Sequence, residues 1–537
     1  MTLTTQSDFH PEQQSENHDD VNDGQRSRRR GARFPHRGGS VRAMIHRIHF
    51  YAGVFVGPFI LIAAVTGLLY AAAPSIESVV DHDKMYVPAS DVHSHQRVDV
   101  KDQIRTAAER HPDLTFSGVQ IRNDDRATTR VLFNDPSLPS KSYRRVVMVN
   151  PYTGEVVGDT VQFGSSSSLR FREWTDRAHR NLFLGEPGRI YAETAAAWLG
   201  VLTVSGLVMW WRKVYDKNKK KRATGSESHS SSKPLTGRPK SMRRHAIIGT
   251  WACLGMLFLT ATGLTWSKYA GAQIADWRVQ LNWAKPTPDT TVSQSVGSPD
   301  ASMDHSHHGG HGGHSGHGGM SSDSPALTPH DSILEAQNHV DTVMSSAKQA
   351  GIKASFEATA PAAPGEAWTV TDLRVPWYFS HDSVSVDGET GRVVDTVWFK
   401  DWPLAAKLAE WGIQLHMGIL FGIVSQVALG ALAIMICIIV VRGYMMWWQR
   451  RPTRNRNGFR SNFGRAPRRG AWRRSSIIGF AVAAILLIGY GLLAPLFAIS
   501  ALAFLVLDIV IGFVMRWKGR RTHDSSSKDT SFAEINA

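Results

Sequence analysis

The chain has 537 residues, 42% of them hydrophobic, and 61 Lys and Arg against 46 Asp and Glu, for a formal charge of +15. Such a balance could serve nucleic acid, but more than half of the basic residues sit in segments 26–47, 212–244, 450–474 and 516–521, which flank apolar blocks. That placement orients membrane helices, so the charge is read as topogenic and nucleic acid leaves the list of partners. Only Cys253 and Cys437 are present, both inside apolar blocks, which excludes a disulfide-stapled scaffold.

In chain order, residues 1–40 read as a disordered basic cytoplasmic leader, followed by a first span at 41–73. No small-residue cleavage site follows a short apolar core, so this span is expected to remain as an anchor. An outer domain at 74–187, a second span at 188–212 and a basic cytoplasmic loop at 213–244 come next. A third span at 245–268, a second outer domain at 269–410, a fourth span at 411–448 and a basic loop at 449–475 follow. Residues 476–517 hold spans five and six, and 518–537 a cytoplasmic tail. The apolar blocks approach or exceed the ~20 residues that cross ~30 Å of hydrocarbon. This arrangement expects lipid as a partner, a multi-pass protein of the cytoplasmic (inner) membrane, and both termini in the cytoplasm. Each outer domain reads as α+β. A helical pattern near 99–110 precedes strands and the hairpin signal "RRVVMVNPYTGEVVGDT" at 144–160, and a second helical pattern near 331–350 precedes "SVSVDGETGRVVDTV" at 383–397.

The chain repeats itself. An offset of 196 carries His49 onto His245, Gly53 onto Gly249, and Thr66-Gly67-Leu68 onto Thr262-Gly263-Leu264. An offset of 237 carries "TGEVV" (153–157) onto "TGRVV" (390–394), "HRNLFLG" (179–185) onto "HMGILFG" (416–422), and "MWW" (209–211) onto "MWW" (446–448). The repeated unit is span, outer domain, span. The two offsets differ by 41 residues, an insertion in the second outer domain that contains "HSHHGGHGGHSGHGG" at 305–319.

These duplicated hairpins, with "IHFYAGVFVGPFILIAAVTGLLY", "HRNLFLG", the TG-L element and the MWW ends, resemble the PepSY-associated transmembrane family of bacterial iron-regulated membrane proteins, over about residues 41–450. The resemblance implies a polytopic α-helical membrane protein built from a duplicated span, PepSY-like α+β domain and span, here with a C-terminal two-span hairpin. It also implies ferric-siderophore reduction through haems held between the helices. The His-rich insertion and the last two spans depart from the family pattern, which puts partner and substrate in doubt more than the core.

The topology sets His49 and His245 at the inner ends of spans one and three, and His179 and His416 at the outer ends of spans two and four. A redox haem takes two axial imidazoles from opposing helices and needs room beside them. Gly53 and Gly249, four residues after their histidines and on the same helical face, would leave that room. An interfacial histidine that caps a span is the plain alternative for any one position; four in duplicated register favour ligands to two haem b groups. His46, one turn before His49, is open as a replacement ligand, a propionate contact or an interfacial residue, with the last two favoured. Arg189 and Glu193, at the outer end of span two, read equally as functional or as a structural pair, and Asp508 in span six has no evident partner. The Trp residues at 210, 211, 447 and 448 read as an aromatic belt.

His305, His307, His308, His311, His314 and His317 form a separate signal. Their Gly and Ser spacing builds no core, and the tract is either a solvated linker or a collector of copper, zinc, nickel or iron. No residue is assigned a catalytic role. The expected activity is electron transfer from an inner donor to an outer acceptor, Fe(III) or a ferric siderophore, as in a ferric(-siderophore) reductase. No GxGxxG follows a strand, so the donor would be a quinol or a separate flavoprotein. The competing readings are a PepSY-type binding or regulatory membrane protein and a copper- or zinc-handling protein centred on the His-rich loop.

Overall fold

The computed structural model describes residues 40–224, 236–292, 327–353, 355–449 and 477–534. The His-rich tract 305–319, nearly all of the leader 1–40, and parts of the basic loops and tail lie outside these residues. In the first half, α1 (Ser40–Phe55) and α2 (Gly57–Val80) are followed by the short α3 (His82–Met85) and α4 (Ala89–Ser94), then α5 (Val100–Arg110). Four strands come next, β1 (Thr115–Ile121), β2 (Thr129–Asn134), β3 (Tyr143–Val149) and β4 (Val156–Phe163), then α6 (Arg170–Asn181) and the long α7 (Glu186–Thr224). The second half runs α8 (Gly237–Thr265), α9 (Tyr269–Gln280), α10 (Pro329–Ala350), β5 (Phe356–Thr359), β6 (Trp368–Asp372), β7 (Ser383–Val386) and β8 (Val393–Val397). It closes with α11 (Leu404–His416) and α12 (Ile423–Trp448), and α13 (Ile477–Leu493) and α14 (Pro495–Glu534) follow.

Among the described residues, five helical segments are long and apolar enough to cross a membrane: Gly57–Val80, Glu186–Lys219, Gly237–Thr265, Ile423–Trp448 and Pro495–Val514. Six were expected. The fifth expected span is α13, whose 17 residues reach only about 26 Å at 1.5 Å per residue, short of the roughly 30 Å hydrocarbon layer. The first expected span is bent. Pro58 has no N–H for the carbonyl four residues back, and that oxygen, on Val54, accepts instead from the Tyr444 hydroxyl at 2.6 Å. The fourth expected span, 411–448, is two helices, because Gly418 (φ 74°) and Gly422 (φ 55°) take backbone angles that end α11 and start α12 afresh. His416 is therefore the last residue of α11 rather than part of a span.

The two outer domains expected from the sequence share one antiparallel sheet, in the order β4-β3-β2-β1-β5-β6-β7-β8. The halves join where β1 pairs with β5, from Gly118 opposite Thr359 to Ile121 opposite Phe356. A side chain at Gly118 would come within 2.6 Å of the Ala358 carbonyl, so the junction needs glycine there. Period-two alternation divides the sheet's residues between its faces. Val119, Val131, Val147, Ala358, Val370 and Val384 face α5 and α10, where Ile104, Ala107, Val340 and Val343 complete a core. Leu132, Val146 and Met148 point the other way, against Leu169, which leads into α6.

Below the sheet, α2 packs on α12 and α7, and α8 packs on α7 and α12, forming a four-helix ring. Small residues let the helices approach closely: a side chain at Gly255 would lie 2.7 Å from Leu432, and one at Gly200 2.8 Å from Thr260. The α13–α14 hairpin leans on α7 through Trp198 Nε1 donating to Ser500 Oγ at 2.9 Å and Tyr490 Oη donating to the Ala197 carbonyl at 2.8 Å. Asp508 has a partner that the sequence did not reveal, Arg47 on α1, with which it forms an ion pair. Glu193 caps α9, accepting from the amides of Tyr269 at 3.0 Å and Ala270 at 2.9 Å, while Arg189 lies 4.0 Å from Glu186. Both are structural.

Candidate functional site

The ring of helices brings the four histidines into two pairs. At the end far from the sheet, His49 of α1 and His245 of α8 have ring centroids 6.3 Å apart, nearly perpendicular at 85°. At the sheet end, His179 of α6 and His416 of α11 have centroids 6.5 Å apart at 50°. Seventeen residues separate His49 from Thr66, which contacts His179, and seventeen separate His245 from Thr262, which contacts His416. At 1.5 Å per residue that sets the two levels roughly 25 Å apart along the helices, somewhat less than the ~30 Å hydrocarbon layer.

Each ring is held by Nδ1. Thr66 Oγ1 lies 3.2 Å from His179 Nδ1, and Thr262 Oγ1 lies 2.7 Å from His416 Nδ1. Both hydroxyls donate their one proton backwards along their own helix, to the Ile62 carbonyl at 2.9 Å and the Phe258 carbonyl at 2.8 Å. With that proton so placed, each hydroxyl oxygen is free to accept from the imidazole, the arrangement in which Nδ1 carries the hydrogen. The far pair follows the same logic. His245 Nδ1 faces the Ile439 carbonyl at 3.0 Å, an acceptor only. His49 Nδ1 lies 2.9 Å from Ser205 Oγ, whose proton goes to the Leu202 carbonyl at 3.1 Å. Leu202 and Ile439 are equivalent under the 237-residue offset. In this arrangement all four neutral rings keep the lone pair on Nε2, the tautomer of a metal-ligating histidine whose other nitrogen is oriented by a hydrogen bond.

The surroundings repeat as well. Tyr70 stacks on His179, 6.3 Å between centroids and 6° from parallel, and Trp266 meets His416 edge-on at 6.1 Å. Each is four residues after its threonine. A side chain on Gly67 would lie 3.0 Å from His179 Cε1, and one on Gly206 3.2 Å from His49 Cε1, so glycine is what lets these rings sit against the neighbouring helix. Gly53 and Gly249 differ, since an added Cβ there meets nothing within 4 Å and both face open space. The sequence reading named the histidines and these last two glycines, saw Gly67 only as a repeated residue, and missed Gly206, Ser205, Tyr70 and Trp266. Thr66 and Thr262 were visible as repeated residues without a role.

The donor set fits an axially ligated haem. Two metal–imidazole bonds of roughly 2.0–2.1 Å, with a ring radius of about 1.1 Å at each end, separate trans centroids by roughly 6.3 Å, against the 6.3 and 6.5 Å found. Open space beside Gly53 and Gly249 is consistent with a flat group lying there. The family model for the PepSY-associated TM region matches residues 46–450, which include all four histidines. The chain belongs to the PepSY-associated transmembrane family. Residues beyond 450, including the α13–α14 hairpin, lie outside the PepSY-associated region, and no curated protein matches the chain. His46 sits half-buried on α1, one turn before His49. Among the described residues no cluster of three or more His, Cys, Asp or Glu could hold a metal ion. The six tract histidines lie outside that description.

Near the sheet end the sheet domain and α11 hold a second set of buried ionisable groups. Arg374 donates twice to Glu410, at 2.6 and 2.9 Å. Burial disfavours the Glu410 charge, but the guanidinium outweighs it and holds the carboxyl down at about 2. His381 is pushed down to about 3 by burial and then by Lys285, and is a neutral ring. Burial raises Asp372 to about 6 despite amide and Tyr378 donors. Trp211 on α7 and Trp448 at the end of α12 are exposed.

Proposed function

We propose that this protein conducts electrons across a cell membrane through two b-type haems, from an inner donor to an outer ferric acceptor. What supports the reading is the repeated ligand geometry: two imidazole pairs at opposite ends of one bundle, each ring with Nδ1 tied to an acceptor. On this reading His49 and His245 would hold the inner group and His179 and His416 the outer one. Haem bound in this way supplies reversible one-electron chemistry. The threonine, serine and carbonyl acceptors fix each ring's tautomer and raise the basicity of Nε2, while Tyr70 and Trp266 exclude water from the outer pair.

The chain is read as two copies of a span, outer domain and span, with a C-terminal hairpin. The basic segments would place both termini in the cytoplasm of an inner-membrane protein. The donor is read as a quinol or flavoprotein. The acceptor is Fe(III), as a chelate or siderophore complex, and hard oxygen ligands hold the reduced ion less tightly, so one electron releases the metal. Purified protein should give a dithionite-reduced b-type spectrum with about two haems per chain, and His245→Ala and His416→Ala should each remove one. A colourless preparation would refute the proposal, and would favour a docking or metal-buffering protein instead.

A further inference from the structure

The second face of the sheet carries an unbalanced set of cations over the outer histidine pair. Loop 164–169, "GSSSSL", lies against that face and enters α6. It collects two arginines directly. Arg130, 2% exposed, donates to the Ser167 carbonyl at 3.3 Å and to Gln162 Oε1 at 3.2 Å. Arg172, 8% exposed, donates to Ser168 Oγ at 2.7 Å and to the Ser166 carbonyl. Arg122 stands within electrostatic reach of both, yet makes no hydrogen bond or ion pair among the described residues, and its Nε is buried without a partner. The counter-charges are Glu77, already accepting from the Leu169 amide at 2.8 Å, and the partly buried Asp176, one turn along α6 from Arg172 and 3.5 Å from Arg180; Asp124 lies at the exposed rim. The neighbouring Arg144 is neutralised by Glu357.

Arg122, Arg130 and Arg172 outnumber the carboxylates that face them, Glu77 and the partly buried Asp176, and repel one another. Burial, and then Arg122, hold Arg130 down at about 9. Gln162, essentially without exposure, adds an unfilled donor, since its Nε2 has no partner although its Oε1 is hydrogen-bonded. A buried excess of positive charge and unfilled donors is costly unless an anion completes it, and forked guanidinium donors match carboxylate-type oxygens.

We propose that Arg122, Arg130 and Arg172 form a binding site for an oxyanionic ligand, the carboxylate- or catecholate-bearing edge of an external ferric chelate. That the ligand is an electron acceptor rests on the function proposed above; the site itself does not. Arg172 precedes His179 by seven residues on α6, so a seated ligand lies roughly 10 Å from the outer pair at 1.5 Å per residue. The same oxygens could come from haem propionates, and the test separates the two sources.

The full-length protein in detergent is titrated calorimetrically with citrate and with ferric citrate, alongside its optical haem spectrum. Both ligands should bind, more weakly as salt rises. Because Arg122 makes no hydrogen bond in the fold, Arg122→Gln should fold normally and bind roughly 10-fold or more weakly, with its haem spectrum unchanged. Arg105→Gln, on the exposed face of α5, should bind as the parent does. Absence of citrate binding, or binding that Arg122→Gln leaves intact, overturns the site. So does loss of haem in Arg122→Gln with citrate binding intact, which would assign the arginines to propionates. A colourless protein that binds citrate through Arg122 would keep the site and sink the electron-transfer function.

Discussion

Thr262→Val tests the ligand geometry at its most specific point. Valine keeps the shape of threonine but removes the oxygen that lies 2.7 Å from His416 Nδ1. A free imidazole can answer by moving its proton to Nε2. A ligating one cannot, since Nε2 is then bound and Nδ1–H is obligatory. The cost therefore falls on the haem-bound state alone: one buried N–H left without an acceptor, about 1–3 kcal/mol. At 1.4 kcal/mol per factor of ten that is roughly a 5- to 150-fold loss of outer-haem affinity, within reach of the ~10–100-fold usual for partners of metal-bound histidines. Haem titration of the stripped protein and potentiometry of the two centres measure it. Thr262→Ser should restore the parent value, and the inner centre should not move. If Thr262→Val binds two haems within twofold of the parent, the tautomer assignment is wrong.

Other perturbations read different parts of the molecule. Asp508→Ala should lower the thermal unfolding temperature in detergent, because it removes the carboxylate paired with the mostly buried Arg47. Adding Arg47→Ala should recover part of the loss, as a double-mutant cycle would quantify. The outer domain should lose stability in acid. His381, held near 3 when folded against 6.5 unfolded, contributes stability that is present above pH 6.5 and lost as pH falls towards 3, up to about 5 kcal/mol. Glu410, held near 2 against 4.5, contributes stability present above pH 4.5 and lost as pH falls through 2. His381→Phe should reduce the fall in melting temperature between pH 6.5 and about 4.5 and leave in place the fall below pH 4.5 that Glu410 causes. Deleting 305–319 should leave the haem spectrum unchanged, and loss of haem would tie the tract to the histidine pairs.

How much of this was legible in the sequence depended on how local the signal was. The register of His49 with His245 and of His179 with His416 is written in short matching strings, and the hairpins at 144–160 and 383–397 carry their own turn residues, so both could be read. The joining of the two outer domains could not. It depends on Gly118 admitting the Ala358 carbonyl across 240 positions of chain, and nothing near either residue encodes the partner. The split of the fourth span had a local cause, Gly418 and Gly422, but glycine within an apolar run also occurs in unbroken helices such as α12, with Gly430 and Gly443. The role of Thr66 and Thr262 was hidden for a different reason. A threonine bonded back to its own helix looks like ordinary apolar-helix polarity until the imidazole beside it is seen.

Gly53 and Gly249 separate a ligand-holding bundle from one that merely packs histidines. In the protein alone a methyl group at either position meets nothing within 4 Å, and alanine favours a helix over glycine by about 1 kcal/mol. Without a bound group, Gly53→Ala and Gly249→Ala should therefore stabilise the protein slightly. If a macrocycle lies against these helices, larger side chains must compete with it, and Gly53→Leu should lower inner-haem content while leaving the outer centre intact. The sign of the effect thus differs between the two cases. Haem quantification beside thermal unfolding of the same samples reads it, and Gly53→Leu protein that is fully loaded and more stable would show that the open space beside His49 is not where the ring lies.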